Sequence, residues 1–345
     1  MSIITWITKY LYIFLVSLAA SLFFTPLVRK AALKFKAIDQ PCERKIHTRP
    51  IPLWGGLAIY LAYMLSLFLI AFPYSSHLKS IIIGSVFVLL LGVIDDVKPV
   101  PATLKFFVLI GLTVWLSRYG IIVRLTGLYI IDVIVTILWI VGVSSAFNAI
   151  DNMDGLAAGI TCIVSLLFFI VAFSSGQWAF GLLSIALTGA ALGFLPYNFH
   201  PAKIFLGNGG SMFLGFNLGA IAVMGEWSSN RFIALTIPVL ILAIPIFDIL
   251  YVVILRYRQG LTPTFSQIIS YCEKDHLSHR LQRLGLEQRE VVVLLYILSL
   301  CLGLGAIMLK VELDAYDAAI LIVQAFLIIL IIGVLLNIKG NNRQV

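Results

Sequence analysis

Charged residues are scarce in this chain. Asp, Glu, Lys and Arg make up 12% of its 345 residues, whereas a soluble globular domain carries roughly 25%. Hydrophobic residues make up 61%, and the mean hydropathy is +1.05. Cysteine is also rare: the chain has four, none in a C-x-x-C pair, so no zinc or redox motif is supported. These shortages exclude a soluble enzyme, a disordered chain and a secreted disulfide scaffold.

The apolar residues are gathered into blocks long enough to cross a bilayer, which takes roughly 20 residues as a helix. Eleven such blocks lie near 10–28, 53–72, 80–94, 103–117, 128–147, 156–174, 178–195, 211–225, 232–255, 290–309 and 317–338. They do not alternate polar and apolar residues as barrel strands do. We therefore predict an all-α, polytopic integral membrane protein with about 11 transmembrane helices, forming a single domain over residues 1–345.

Acidic residues are outnumbered, 16 against 24 Lys and Arg, which leaves a formal net charge of +8. If the linker after the first block is cytoplasmic, 18 of the 24 basic residues fall on the cytoplasmic side. The positive-inside rule then predicts an N-terminus outside and a C-terminus in the cytoplasm. Because topology explains the basic excess, nucleic-acid binding is not needed to account for it.

Carboxylates gather at the predicted cytoplasmic ends of two blocks. Asp95–Asp96 follow the third block, and a divalent cation, Lys105 or Arg groups could hold these adjacent like charges ionised together. Asp151 and Asp154 follow Asn148 in N-A-I-D-N-M-D-G and would share one face of a helix. Such an acidic pocket suits Mg²⁺ and the phosphates that it carries. The plainer alternatives are a solvated helix end and an acidic turn that caps the next helix.

Two polar stretches lie on the same predicted side. The loop F-L-G-N-G-G-S, residues 205–211, would place backbone amides at a helix start, which suits a phosphate, although a plain turn is the alternative. The segment H-L-S-H-R, residues 276–280, has too few ligands for zinc and fits phosphate or nucleotide contact better, with a solvated loop as the alternative.

Two other features are less easily assigned. Asp248 lies inside the ninth block, three residues after Pro245, which allows a kink; a proton relay and a structural role are both open. In the first linker, Lys45 and His47 belong to a basic strip that precedes a Pro- and Gly-rich entry to the second block. Membrane anchoring explains the charge of that strip, and contact with phosphates is the functional alternative.

In their order and shared sidedness, these motifs resemble the polyprenyl-phosphate N-acetylhexosamine-1-phosphate transferases, of the glycosyltransferase family 4 type. The bacterial undecaprenyl-phosphate N-acetylglucosamine-1-phosphate transferases are the most similar branch. The resemblance rests on His47–Gly56, Asp95–Asp96, N-A-I-D-N-M-D-G, F-L-G-N-G-G-S, P-I-F-D and H-L-S-H-R. It implies that undecaprenyl phosphate attacks the β-phosphorus of UDP-GlcNAc, which releases UMP and leaves a lipid diphosphate-sugar.

The same resemblance implies a setting and a cofactor. The protein would be a multi-pass protein of the bacterial cytoplasmic (inner) membrane with its active site on the cytoplasmic face. It would use Mg²⁺, with Mn²⁺ as an alternative, and would catalyse the first membrane step of a cell-envelope glycan pathway. The candidate pathways include cell wall teichoic acid and lipopolysaccharide. A homodimer is left open.

Residue roles also come from the resemblance alone. Asp95 would deprotonate or orient the lipid phosphate, and Asp96 and Asp154 would organise the metal with support from Asp151. Phe205 would stack on uracil, and Asn198 would lie near the uridine. The implied substrate contacts are Lys45, His47, Lys105, Asn148, Asn198, Phe205, Gly207, His276, His279 and Arg280, and the implied metal contacts are Asp96, Asp154 and Asn208.

This chain departs from the family pattern at two positions. Position 208 is Asn where relatives usually have an Asp that ligates Mg²⁺, so a charge is missing from the predicted site. Position 278 is Ser where relatives often have a third His. We therefore expect activity to be weakened by Asn208, and the contact with the nucleotide-sugar to be kept but reduced by Ser278.

Rival functions remain open on the sequence. A phospho-MurNAc-pentapeptide translocase would share the fold and the motifs. A secondary transporter would also be polytopic with buried carboxylates, but it should place them near the bilayer midplane in repeated, broken helices. A membrane protein that binds lipid or nucleotide without catalysis is the third alternative, because Asn208 weakens the metal site.

Overall fold

The computed structural model describes residues 3–41, 49–70, 75–262, 264, 267, 275–311 and 316–328. About four fifths of these residues are helical, and the described strands are two residues long, which confirms the all-α prediction. The helices are α1 Ile3–Lys34, α2 Gly55–Leu69, α3 Ser76–Val97, α4 Ala102–Arg118, α5 Tyr129–Ile150, α6 Leu156–Ser174, α7 Trp178–Asn198, α8 Gly207–Met224, α9 Arg231–Ile241, α10 Ala243–Arg258, α11 Leu277–Arg283, α12 Gln288–Val311 and α13 Tyr316–Ile328.

Each of the eleven apolar blocks overlaps a helix over the residues that the structure describes, while residues 71–72 of the second block and 329–338 of the last block lie outside the described residues. Among the described residues, six helices are long and apolar enough to cross a membrane by themselves, namely α1, α3, α5, α6, α7 and α12. A seventh crossing is obtained if α9 and α10 count as one broken span, and α2 and α13 are apolar but shorter. The protein is therefore a multi-pass membrane protein, while the number of eleven crossings and the orientation of the termini stay predictions.

The ninth block is not one straight helix. It consists of α9 and α10, which meet at Leu242 with a bend of 81°. Pro245 has no N–H to bond the carbonyl of Ile241, four residues earlier, and its ring clashes with that carbonyl. Because Ile241 is the last residue of α9, the proline explains where the span breaks.

Close helix packing depends on small residues at the contacts that position the site. Gly56 of α2 lies against Gly210 of α8, and a Cβ on Gly56 would overlap the Cα of Gly210. Gly92 of α3 makes the same kind of contact with Gly209 of α8. Backbones can approach this closely only where side chains are absent, so the start of α8 is held between α2 and α3.

The only strand pairing in the described residues is short. β1 Ile38–Asp39 pairs antiparallel with β2 Ile51–Pro52, with Ile38 opposite Pro52 and Asp39 opposite Ile51. This pairing closes the ends of the first linker and brings Pro52 to the start of α2. The carbonyl of Pro52 then accepts a hydrogen bond from the amide of Phe205, at 2.8 Å, which fastens the segment before α8.

Candidate active site

Asp95, at the end of α3, has both carboxylate oxygens engaged. Its Oδ1 accepts from the amide of Val100 at 2.7 Å, and its Oδ2 accepts from Nζ of Lys105, in the first turn of α4, also at 2.7 Å. The Asp95 side chain is 5% exposed and the Lys105 side chain 19%. Charge-assisted contacts of this length are among the stronger hydrogen bonds in proteins, so the pair places a cation beside the acidic motif.

Asp96, the next residue, is only half satisfied. Its Oδ1 accepts from the amide of Asn208 at 2.8 Å. Its Oδ2 is buried and has no hydrogen-bond partner among the described residues. Buried carboxylate oxygens are rarely left without a donor or a cation, so this atom marks the place where a ligand would be accepted.

The start of α8 is shaped to receive Asp96. Gly207, its first residue, has φ +77°, and a Cβ at this position would collide with Oδ2 of Asp96. The amides of Gly55 and Gly56 donate to the carbonyls of Phe205 and Leu206 at 2.9 and 2.8 Å, which fixes the approach of the chain. Glycine is needed here for its left-handed backbone and for the space that it leaves.

The glycine-rich loop was predicted at residues 205–211, but only residues 205–206 lie before the helix, and residues 207–211 form the start of α8. Ser211 lies four residues after the first residue of this helix and is fully buried. Its hydroxyl donates to Oδ1 of Asn148 at 2.8 Å, and Asn148 lies in the last turn of α5. The prediction of a loop was wrong for these residues. The glycines allow α8 to pack closely against α2 and α3, and the helix tolerates them.

The two carboxylates that follow α5 do not share a helix face. α5 ends at Ile150, and residues 151–155 form a turn in which Gly155 has φ +79° before α6 begins. The helical spacing assumed for Asp151 and Asp154 is therefore wrong, yet the turn still keeps them close. Burial raises the pKa of Asp151 well above its ordinary value, and the negative charges of Asp96 and Asp154 raise it further. The turn that follows α5 and the end of α3 thus form one acidic cluster.

Asp154 has a partner that the sequence did not single out. Its Oδ2 lies 2.8 Å from Nδ1 of His200 and accepts from the amide of Ala202 at 3.0 Å. His200 is 39% exposed and its carbonyl accepts from Arg289 at 2.9 Å. The signal available beforehand was the N-F-H-P-A-K stretch just before the glycine-rich motif, but its distance along the chain from Asp154 hid the contact.

Asn198 links the acidic turn to the segment before α8. Its side chain is buried, with Oδ1 accepting from the amide of Gly155 at 3.1 Å and Nδ2 donating to the carbonyl of Ile204 at 3.0 Å. Phe205 is partly exposed next to this link. Asn198 therefore connects the two segments through its hydrogen bonds, and Phe205 lies at an accessible edge. The contacts of both residues with uridine stay predictions.

The H-L-S-H-R segment reaches the acidic turn through Ser278. The hydroxyl of this buried residue donates to Oδ1 of Asn152 at 2.7 Å, and Asn152 lies directly after Asp151. His276 precedes α11, and His279 and Arg280 lie within it, each partly exposed. Ser278 thus joins two motifs that are more than a hundred residues apart, and it does so at the position where relatives often have a third His.

The predicted site is brought together in large part. Asp95, Asp96, Lys105, Asn148, Asp151, Asp154, Asn198, Phe205, Gly207, Asn208, His276, His279 and Arg280 lie on the facing ends of α3, α4, α5, α7, α8 and α11 or on the turns between them. Lys45 and His47 lie outside the described residues, so their contacts stay predictions.

A family model described as glycosyl transferase family 4 matches residues 78–226, which carry most of the acidic cluster and its glycine contacts. A probable undecaprenyl-phosphate N-acetylglucosaminyl 1-phosphate transferase of Bacillus subtilis (strain 168) is 35% identical over 86% of this chain and 84% of its own length. The chain belongs to glycosyl transferase family 4. It is a membrane-embedded sugar-phosphate transferase.

Other family 4 relatives extend the comparison. A decaprenyl-phosphate N-acetylglucosaminephosphotransferase of Mycolicibacterium smegmatis is 32% identical over 85% of this chain and 80% of its own length. A phospho-N-acetylmuramoyl-pentapeptide-transferase of Clostridium botulinum is 30% identical, but over 58% of this chain and 68% of its own. The named N-acetylglucosamine transferases therefore share more of this family 4 chain than that pentapeptide transferase does.

The donor set of this family 4 site fits a hard divalent cation bound together with its substrate. No group of three or more His, Cys, Asp or Glu side chains in the described ranges is arranged to hold a metal ion by itself. Mg²⁺, however, is usually held by one or two carboxylates, with water and substrate phosphates completing its shell. The unpartnered Oδ2 of Asp96 beside the ionisable Asp151 supplies that smaller set.

Proposed function

We propose that this protein transfers N-acetylglucosamine-1-phosphate from UDP-GlcNAc to undecaprenyl phosphate, giving a lipid diphosphate-sugar and UMP. The reaction would take place at the cytoplasmic face of the bacterial inner membrane, as the first membrane step of a cell-envelope glycan pathway. The observation that carries the proposal is the buried, unpartnered carboxylate oxygen of Asp96, set beside Asp151 and close to the cation of Lys105.

A Mg²⁺ ion, for which Mn²⁺ could substitute, would be held by Asp96 and Asp151, with Asp154 and the side-chain amide of Asn208 as further oxygen donors. Asp154 has one oxygen already engaged by His200 and Ala202, so its other oxygen is the one available. When bound, the ion neutralises charge that develops on the diphosphate during phosphoryl transfer.

The chain's own residues would align the two substrates. In the transfer, an oxygen of the lipid phosphate forms a bond to the β-phosphorus of the UDP-sugar while the bond from that phosphorus to the UMP oxygen breaks. Such a reaction needs alignment and charge neutralisation more than covalent help from the protein. Lys105 would pair with the lipid phosphate beside Asp95, and Arg280 with His276 and His279 would contact the sugar-phosphate end of the donor.

Asp95 would assist this alignment indirectly. Both of its oxygens are occupied by Lys105 and Val100, so it would receive a proton from the lipid phosphate only after one of these bonds is exchanged. This arrangement supports the orientation of Lys105 as the main role of Asp95.

The test uses purified protein, Mg²⁺, undecaprenyl phosphate and a panel of UDP-sugars that includes UDP-GlcNAc and UDP-MurNAc-pentapeptide. We expect UMP release with UDP-GlcNAc, together with labelled sugar in butanol-extractable lipid. Asp96→Asn should lower the rate by at least about a hundredfold, as loss of a group that stabilises transferred charge usually does. Release of UMP only with UDP-MurNAc-pentapeptide, or no labelled lipid with UDP-GlcNAc, would overturn the proposal.

The matched control is Asp132→Asn. Asp132 is also a buried aspartate, and it accepts from the amides of Thr126 and Gly127 at 2.8 and 3.1 Å. It lies in the first turn of α5, about 27 Å along the helix from Ile150 at 1.5 Å per residue. Loss of this carboxylate should affect stability and leave the transfer rate unchanged.

A further inference from the structure

Asp248 is a carboxylate inside an apolar helix. It lies in α10, in the sequence I-P-I-F-D-I-L, and is 2% exposed. A buried charge in such a place is costly unless it is paired and hydrogen-bonded. Its partners therefore indicate why this position holds an aspartate.

Both oxygens of Asp248 are used on the H-L-S-H-R segment. Oδ2 lies 2.8 Å from Nδ1 of His276, and Oδ1 accepts from the amide of Leu277 at 2.6 Å. An ionised carboxylate can only accept hydrogen bonds, so Nδ1 of His276 carries the proton. Nε2 is then the ring nitrogen left for a ligand, and the imidazole, 12% exposed, is held in one orientation.

The residues on either side of His276 are fixed from the same helix. Arg256 of α10 makes a two-pronged pair with Asp275, at 2.7 and 2.6 Å. Arg280 donates to the carbonyl of Asp275 at 2.6 Å and stacks over the ring of Tyr251 of α10, 5.1 Å from its centroid. α10 thus presents Asp248, Tyr251 and Arg256 to the segment, and each contacts a different part of it.

The segment that α10 fixes also adjoins the acidic cluster. Ser278, two residues after His276, donates to Asn152 in the turn that holds Asp151. Asp248 and Ser278 line a small cavity together with Ile150, the last residue of α5. A displacement of Asp248 would therefore move the His276 ring, which lies close to the acidic cluster.

We propose that Asp248 is a positioning residue: it sets the tautomer and the orientation of His276, whose Nε2 contacts the diphosphate of the nucleotide-sugar. This inference rests on the proposed function for the identity of the ligand. The pairing itself does not depend on that function, and it can be measured in the protein without substrate. The rival explanation is that Asp248 only anchors the start of α11 and that the His276 ring makes no contact with the substrate.

The first experiment observes the tautomer by ¹⁵N NMR of histidine-labelled protein. The chain has five histidines, and the His276 signals are assigned from their loss in His276→Gln. In the wild type, Nδ1 should have the shift of a protonated nitrogen. In Asp248→Asn, the side-chain oxygen of Asn would accept from the amide of Leu277, so its NH₂ group would face Nδ1 of His276. Because that NH₂ group can only donate, Nδ1 must accept, and the ring proton moves to Nε2. An Nδ1 signal that does not change in the variant would overturn the proposal.

The second experiment is a double-mutant cycle on UMP release. Asp248→Asn should lower kcat by about 10- to 100-fold, the usual loss when the partner that orients a functional histidine is removed. In the His276→Gln background, the same change should cost less than about twofold, because the effect passes through His276. Asp248→Glu, which keeps a carboxylate, should recover part of the loss.

Controls separate positioning from folding and from the proposed function. Thermal unfolding of each variant is compared with that of Asp132→Asn, which loses a buried carboxylate away from the segment. Equal fold-losses of kcat in the wild-type and His276→Gln backgrounds would show that Asp248 acts only as an anchor and would refute the proposal. If the wild type releases no UMP but its Nδ1 signal is that of a protonated nitrogen and changes in Asp248→Asn, the proposed function is refuted and the Asp248–His276 pairing is supported.

Discussion

Breaking the buried pair between Arg256 and Asp275 should be among the most destabilising single changes near the H-L-S-H-R segment. Nε and Nη2 of Arg256 donate to the two carboxylate oxygens of Asp275 at 2.7 and 2.6 Å. The two side chains are 7% and 12% exposed. Arg256→Leu would leave the Asp275 carboxylate buried without its counter-ion, which costs about 3–5 kcal/mol.

At about 2 °C of melting temperature per kcal/mol for a chain of this size, the expected shift is about −6 to −10 °C. The assay is thermal unfolding of the purified protein in detergent, followed by the rate of UMP release at a temperature where both forms are folded. Arg258→Leu is the matched control, because Arg258 lies on the same helix but is exposed; its change should stay within about 0.5 kcal/mol.

The double variant Arg256→Leu with Asp275→Leu removes both charges and should recover most of the lost melting temperature, since replacing a whole buried pair by apolar groups is often neutral. UMP release should stay low in the double variant, because the segment that carries His276 has lost its anchor. A single variant that melts within about 1 °C of the wild type would refute the reasoning, since an isolated buried charge cannot be that cheap.

Three further predictions concern the acidic cluster. Asn208→Asp adds a carboxylate beside Asp96 and should lower the Mg²⁺ concentration for half-maximal UMP release by about tenfold, roughly 1.4 kcal/mol; equal Mg²⁺ dependence in both forms would contradict this. Because the pKa of Asp151 is raised in the folded state, the folded protein binds more protons than the unfolded one. Melting temperatures measured in EDTA should therefore fall as pH rises above about 4 and through the folded pKa, and Mg²⁺ or Asp151→Asn should flatten that slope. Gly207→Ala forces a left-handed alanine, which costs about 1–2 kcal/mol, and pushes Asp96 aside, so activity should be lost. The control Gly111→Ala, where a Cβ meets nothing within 4 Å, should keep activity in the same assay.

Much of the helical architecture could be predicted because hydropathy and helix length are local properties. Within the described residues, every apolar block predicted from the sequence overlaps a helix, and α6 has the predicted bounds, Leu156–Ser174. Where tertiary packing intervened, the sequence prediction failed. The sequence predicts a loop at Gly207, Gly209 and Gly210, yet these glycines lie in the first turn of a helix, where Gly209 contacts Gly92 and Gly210 contacts Gly56.

The motif residues of the site could also be named from the sequence, but several of their partners could not. Asp95, Asp96, Asp151 and Asp154 stand out as carboxylates that border apolar blocks. Their contacts do not follow from spacing, since Asp96 meets Asn208 across 112 positions and Asp154 meets His200 across 46. The link between Asp248 and His276, 28 positions apart, was hidden for the same reason.

The amino-acid sequence by itself determined that this is a helical membrane protein of the sugar-phosphate transferase type, because the hydropathy of the blocks and the order of the motifs are properties of the sequence. The tertiary structure decided which oxygen of which carboxylate is left without a partner and which histidine is held by which acid. That division has a physical cause. A helix forms from the preferences of neighbouring residues, whereas a site forms where helices distant in sequence are forced together by packing, and small residues such as Gly56 and Gly209 decide how closely they meet.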